Sequence, residues 1–179
     1  GGSFIAYKSV GDSSEIHLVK TNSNNPGQPS EFNSGLTKEI TNGPVNNRNP
    51  KLLKNANNLY VVYENINAIN GYVEIRGAVV NATTGATITP DTLIRSTTAS
   101  LNISNVIPDS SGGIIIGYSD SIQVYADRLN SALVKQWNSA APLGVQISTG
   151  LNNTNGYISS DNNGGAIVVW EKHNDVVGT

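Results

Sequence analysis

Cysteine and methionine are both absent from the chain. Without cysteine there is no disulfide framework, no thiolate nucleophile and no Cys-based metal site. Without an initiator Met, the chain is expected to be processed or excised from a longer precursor. Charge is also scarce, at 13% of residues against roughly 25% in an average soluble domain. The formal net charge of −2 and the scattering of the 11 Lys and Arg residues give no basic field to hold phosphates, so nucleic acid is not an expected partner. No run approaches the roughly 18 apolar residues of a membrane helix, so no membrane span is expected. The N-terminus lacks the charged-then-apolar profile of a signal peptide.

What wets the surface instead is asparagine, with Ser, Thr and Gly. Asn pairs occur at Asn24-Asn25, Asn46-Asn47, Asn57-Asn58, Asn152-Asn153 and Asn162-Asn163, where turns are expected because Asn tolerates left-handed backbone. Such a pattern favours many short strands over a few long helices. With 37% hydrophobic residues, the chain can still bury a core.

A repeat dominates the sequence. Four short apolar runs, opened by Gly-Gly or Asn-Asn, close on an aromatic residue: Tyr7, Tyr63, Tyr118 and Trp170, at intervals of 56, 55 and 52 residues. After each of the first three comes a polar loop and an alternating strand, at Glu15 to Val19, Tyr72 to Arg76 and Ile122 to Ala126. Asn70-Gly71 supplies the second of these hairpins with a two-residue turn signal. Further strands are expected at Lys38 to Thr41, Thr92 to Arg95 and Gly144 to Ser148, then at Asn49 to Leu53, Ser100 to Ser104 and Gly156 to Ser160. Each period of about 52–56 residues therefore holds four strand candidates, the arithmetic of a β-propeller blade. The expected fold is all-β and propeller-like: about three four-stranded blades in one array over 1–179, with repeats near 1–57, 58–111 and 112–163 and the next opening at 164–179. Three blades cannot close a ring, so a fragment or closure by self-association is expected.

The stretch from Pro108 to Ile147 carries Asp109-Ser110-Ser111-Gly112-Gly113, then Ile122-Gln123-Val124-Tyr125-Ala126-Asp127-Arg128-Leu129, then Trp137 and Gly144-Val145. It resembles the repeat of a family of large secreted bacterial proteins, which reads Asp-x-x-Gly-Gly-apolar-Trp, a polar loop, and a strand of the type Ile-Tyr-Ala-Gln-Arg-Leu. Asp161 to Trp170 matches the opening again, and the first two periods match more loosely. The resemblance implies an extracellular propeller used for interaction or architecture, secreted or at the cell surface, and a scaffold rather than a particular ligand. The sequence departs from the family pattern after the aromatic, where an Asp and an Arg usually follow: Tyr118-Ser119-Asp120 keeps an acid and lacks the Arg.

Candidate chemistry is thin. The acids Glu64, Asp120 and Glu171 follow the closing aromatics at comparable positions and would lie on one rim of a propeller, making them ligand-binding candidates beside the plainer reading of solvated loop acids. The closing aromatics could stack on carbohydrate, but they end buried strands and are better read as packing between blades. Asp109, Asp161 and Asn163 offer oxygen ligands near glycine turns, as calcium loops do. They lack the later bidentate acid of an EF-hand, and turn chemistry accounts for them. His17 and His173, the chain's two histidines, lie in different contexts and do not make a zinc set. Glycosylation sequons fall at Asn81, Asn102 and Asn152, acceptors in a glycosylating host.

Sialidases are also propellers, binding a carboxylate through clustered arginines. Here Arg48, Arg76, Arg95 and Arg128 fall at different points of the repeat, and Ser159-Ser160-Asp161-Asn162-Asn163-Gly164 has an extra residue before the glycine of a Ser-x-Asp-x-Gly-x-x-Trp box. The expected function is thus a non-catalytic extracellular structural or adhesion module acting through protein or glycan contacts, with no catalytic residues and self-association among its contacts. A glycan-binding or glycan-hydrolysing, sialidase-like propeller is the alternative.

Overall fold

The computed structural model describes residues 2–10, 14–22, 32–41, 46–67, 69–137, 140, 143–150 and 153–173. Asn24, Asn25 and Asn152, noted above, lie outside them. The described chain is all-β, with several antiparallel sheets and no α-helix; a single 3₁₀ turn runs Phe32–Gly35. Among the described residues, no helix is long and apolar enough to cross a membrane.

Four sheets follow one another in chain order. The first holds β1 (Phe4–Lys8), β2 (Ile16–Lys20) and β3 (Lys38–Glu39). The second is the meander β4 (Asn46–Asn55), β5 (Asn58–Ile66), β6 (Val73–Asn81) and β7 (Thr87–Thr97). The third is the meander β8 (Asn102–Pro108), β9 (Ile114–Ser119), β10 (Val124–Leu129) and β11 (Val145–Gln146). The fourth is the hairpin β12 (Asn153–Ser160) and β13 (Ala166–Lys172). Each predicted strand segment falls on one of these elements.

Strand registers make the repeat explicit. The aromatic that closes the apolar run pairs with His17 in the first sheet, Arg76 in the second and Tyr125 in the third. Thus β1, β5, β9 and β13 are equivalent, as are β4, β8 and β12. Successive sheets pack through these strands, β1 on β4, β4 on β8 and β8 on β12. Because side chains alternate across a strand, β5 serves two cores. Leu59, Val61 and Tyr63 join Ile16, Leu18 and Phe32 of the first sheet's side, while Tyr60 and Val62 join Ile103, Ile114 and Ile116 of the third. The last seam buries Ile107, Ile115 and Ile158 with Ala166 and Val168.

Two hairpins have the same loop. Asp109 Oδ1 accepts from the N–H of Ser111 and Gly113, and Asp161 Oδ1 accepts from the N–H of Asn163 and Gly165. Positive φ falls on Ser110 and Gly112 in one (60° and 88°) and on Asn162 and Gly164 in the other (61° and 86°). The turn between β5 and β6 departs from expectation. Gly71 alone of the Asn70-Gly71 pair takes positive φ (72°), and the loop spans Asn67 to Tyr72, closed by the Asn67 N–H on the Tyr72 carbonyl.

The closing aromatics divide. Tyr63 and Tyr118 are fully buried, as packing between sheets requires. Tyr7 and Trp170 are 40% and 41% exposed, which corrects the expectation that all four lie in a core. They belong to the outermost sheets, each covered by a neighbour on one face.

Candidate functional site

The seams between sheets hold most of the buried polar groups. In the first seam the Asn47 amide donates from Nδ2 to the Ser14 carbonyl (2.9 Å) and the Thr41 hydroxyl (3.1 Å), and its backbone N–H also reaches Ser14 (3.2 Å). Thr41 in turn accepts from the Ile16 N–H at 2.9 Å. In the third seam Asn153 donates from its backbone N–H and from Nδ2 to the Ile122 carbonyl (3.0 and 3.3 Å), and Ser148 accepts from the Val124 N–H at 2.9 Å. Counted from the equivalent residues His17 and Tyr125, Ser14 and Ile122 occupy the same position. These are two copies of one joint.

The middle seam uses different chemistry. Leu101 replaces the asparagine, and Arg95, paired with Ile75, stands where Ile40 and Ile147 stand against Ile16 and Val124, one residue before the place of Thr41 and Ser148. The fully buried Arg95 guanidinium binds Asp127 by two bonds of 2.7 and 2.5 Å, and the Tyr118 hydroxyl donates to the same carboxylate at 2.9 Å while accepting the Gly144 N–H at 2.7 Å. Burial, then the Asp127 charge, pushes the Tyr118 hydroxyl far above its ordinary value. For Arg95, burial works against the charge, and the bonds and attraction to Asp127 outweigh it, so the guanidinium stays protonated.

A polar cleft of about 220 Å³ opens in the first seam. Thr41 and Asn47 form one side, joined to Asn65 by its Nδ2 bond to Asn47 Oδ1 (2.8 Å). Opposite lie Asn67, Glu74, Arg76 and Asp91. Arg76 bridges the two acids, with Nη1 at 2.9 Å from Glu74 and Nε at 3.0 Å from Asp91, and Asn67 donates to Glu74 at 3.2 Å. Tyr63 donates its hydroxyl to Asp91, and burial followed by this bond raises its pKa well above the ordinary range. The cleft alternates amide and guanidinium donors with carboxylate and amide acceptors, a lining suited to hydroxyl groups rather than to a single charge.

A second cavity of about 260 Å³ runs along the first strands of the later sheets, between Lys51 of β4, Asn102, Ile103 and Ser104 of β8, and Gly156 and Tyr157 of β12.

The three predicted rim acids are not brought together. Glu64 is 2% exposed and fully engaged: Arg48 Nε (2.8 Å), Asn49 Nδ2 (2.6 Å) and the Ile103 N–H (2.8 Å) all donate to it. It ties the second sheet to the third, so its reading as a rim ligand is corrected to a buried clamp. Asp120 caps its own turn through the N–H of Ile122 and Gln123 and accepts the Tyr125 hydroxyl at 3.0 Å. Glu171 is exposed and lies 3.6 Å from His173. His17 stacks on Tyr7, with ring centroids 5.4 Å apart.

The calcium candidates are turn residues. Asp109 spends one oxygen on two backbone N–H groups and the other on Arg128 Nε at 3.0 Å. Burial works to raise this carboxyl; the Ser111 N–H, Arg128 and the Gly113 N–H outweigh it and hold it below the ordinary value. Asp161 is likewise lowered, chiefly by the N–H of Asn163. Both Asp109 oxygens and Oδ1 of Asp161 are thus spent on donors, and no group of three or more His, Cys, Asp or Glu suited to a metal occurs among the described residues. Of the sequons, Asn81 caps the β6–β7 turn through the N–H of Thr83 and Thr84, and Asn102 is exposed at the start of β8.

Sequence reasoning missed both the Asn joint and the cleft. The signals were Glu74 and Arg76 alternating on one strand face, and Asn65 directly opposite Glu74 once the β5–β6 register is known. Comparison with family models, with curated proteins and with solved structures finds no match to this chain.

Proposed function

We propose that the chain is a non-catalytic extracellular module of β-propeller type, secreted or held at the cell surface, which acts as a scaffold or adhesion unit through protein or glycan contacts. The observation that carries this reading is the recurring joint of Asn47 and Asn153, which docks the second sheet on the first and the fourth on the third in the same way and supports the reading of the sheets as successive blades. The side-by-side first strands β4, β8 and β12 fit the same reading, in which they would line a common axis. The resemblance of residues 108–147 to secreted bacterial repeats supports the extracellular assignment.

The first-seam cleft supports glycan contact, because its amides, guanidinium and carboxylates offer the mixture of donors and acceptors that sugar hydroxyls require. The glycan-hydrolysing alternative would draw on Glu74 and Asp91, which share the cleft. Against it, both carboxylates are held by Arg76, whereas glycoside cleavage needs one of its two acids to present a proton. A glycan array run beside a hydrolysis screen tests the proposal. Specific binding without turnover, weakened by Asn65→Ala, is the expected result; turnover of any bound glycan would overturn the non-catalytic reading.

A further inference from the structure

We propose that this chain binds a second copy of itself head to tail, the outer face of β1 and β2 in one molecule seating on the outer face of β12 and β13 in the next. The inference rests on the blade-array reading above. Its observation is the state of alternate residues on the two outermost sheets. On β1, Phe4 and Ala6 pack into the first seam, while Ile5 and Tyr7 point the other way and are 46% and 40% exposed. On β13, Ala166 and Val168 pack into the last seam, while Ile167 and Val169 are 60% and 61% exposed. Tyr157, opposite Val169 on β12, extends that second apolar face and is also exposed.

The repeat says what covers each face. Aligned on the closing aromatics, Ile5 and Tyr7 hold the places of Val61 and Tyr63, which are fully buried against the face of the first sheet that carries Phe4 and Ala6. Ile167 and Val169 hold the places of Phe4 and Ala6 themselves, and of Tyr60 and Val62, which are fully buried against the third sheet. One exposed face is therefore the type that is covered, and the other is the type that covers it. The internal seam between the first and second sheets is the template for a contact between molecules. Such a contact is heterologous: it uses two different surfaces and leaves each dimer with one of each still open, so association continues into a ring or a filament.

Sedimentation of the 18.9 kDa chain tests this directly. The wild-type mass should grow with concentration. Ile5→Glu and Val169→Glu should each reduce it to one chain, because every contact needs both faces. Mixed in equal amounts, the two variants should form a 1:1 dimer and nothing larger, since one intact face remains on each. A wild-type chain that stays monomeric, a single variant that still associates, or a mixture that stays monomeric would overturn the proposal. Solution scattering from the single variants separates this outcome from the parent reading. Monomers that scatter as four successive packed sheets beside a non-associating wild type leave the array standing and remove only the association; monomers that do not scatter so remove the array as well.

Discussion

Asn47 and Asn153, more than a hundred residues apart in the chain, make the same joint in two different seams: each donates from its backbone N–H and its side-chain amide to one carbonyl of the preceding sheet, Ser14 for the first and Ile122 for the second. Asparagine suits the position because one side chain supplies both donor and acceptor where the incoming strand meets a bent segment of its neighbour. The Asn153 acceptor is also used, taking the Trp170 indole N–H at 3.2 Å.

Truncating either residue should loosen its own seam. Asn153→Ala takes the side-chain amide from the Thr149 carbonyl and the Trp170 indole, at a cost of about 1–3 kcal/mol. Urea unfolding is the measurement, and Asn47→Ala should fall in the same range. An unchanged midpoint for both would show that the joint is incidental.

The middle seam predicts a larger and non-additive effect. Arg95→Met or Asp127→Leu alone strands a buried charge and should cost about 3–5 kcal/mol. The double replacement removes both charges from a fully buried site and leaves apolar side chains beside Tyr118, and should recover most of that loss. A double-mutant cycle in denaturant reads the coupling, and additive single effects would contradict the pairing.

Much of the strand order was legible in the sequence because burial imposes period two on strands and the repeat imposes its spacing on successive sheets. The positions of Tyr63 and Tyr118, the four-strand meanders and the matching Asp-x-x-Gly-Gly loops all follow from residues close together in sequence. Long-range partners did not. Glu64 reads as a loop acid beside its aromatic, and nothing local shows that the Ile103 N–H and Asn49, on the neighbouring strands β8 and β4, converge on it. The exposure of Tyr7 and Trp170 depends on which sheets have neighbours, information that no single repeat contains.

Acid should act through the hairpin loop of the third sheet. The Asp109 carboxyl is held below its unfolded value, so its stabilisation is whole above about pH 4 and is lost as the pH falls through the folded-state value. Asp109→Asn should therefore unfold more readily than wild type at neutral pH, with the difference shrinking below about pH 4. Thermal unfolding across that range is the check, and a pH-independent difference would show that charge has no part in it.

Alkali should act through Tyr125. Burial, then the hydrogen bond to Asp120 and its charge, pushes the hydroxyl up to about 12. A raised value means the contribution is complete below the unfolded value near pH 10 and is lost as the pH climbs toward the folded one. Tyr125→Phe should flatten the stability profile across that window, as measured by unfolding midpoints at successive pH values. A variant that tracks wild type there would contradict the assignment.

At 18.9 kDa the chain is within reach of proton–proton distance measurements by NMR, and these test the succession of docked sheets most directly. The account predicts cross-peaks in all three seams: from the Asn47 side-chain amide to Ser14, from the Tyr60 ring to Gly112, and from the Gly117 α-protons to the Ile158 methyls. Absence of these contacts, or cross-peaks joining β1 directly to β13 within one monomeric chain, would contradict it.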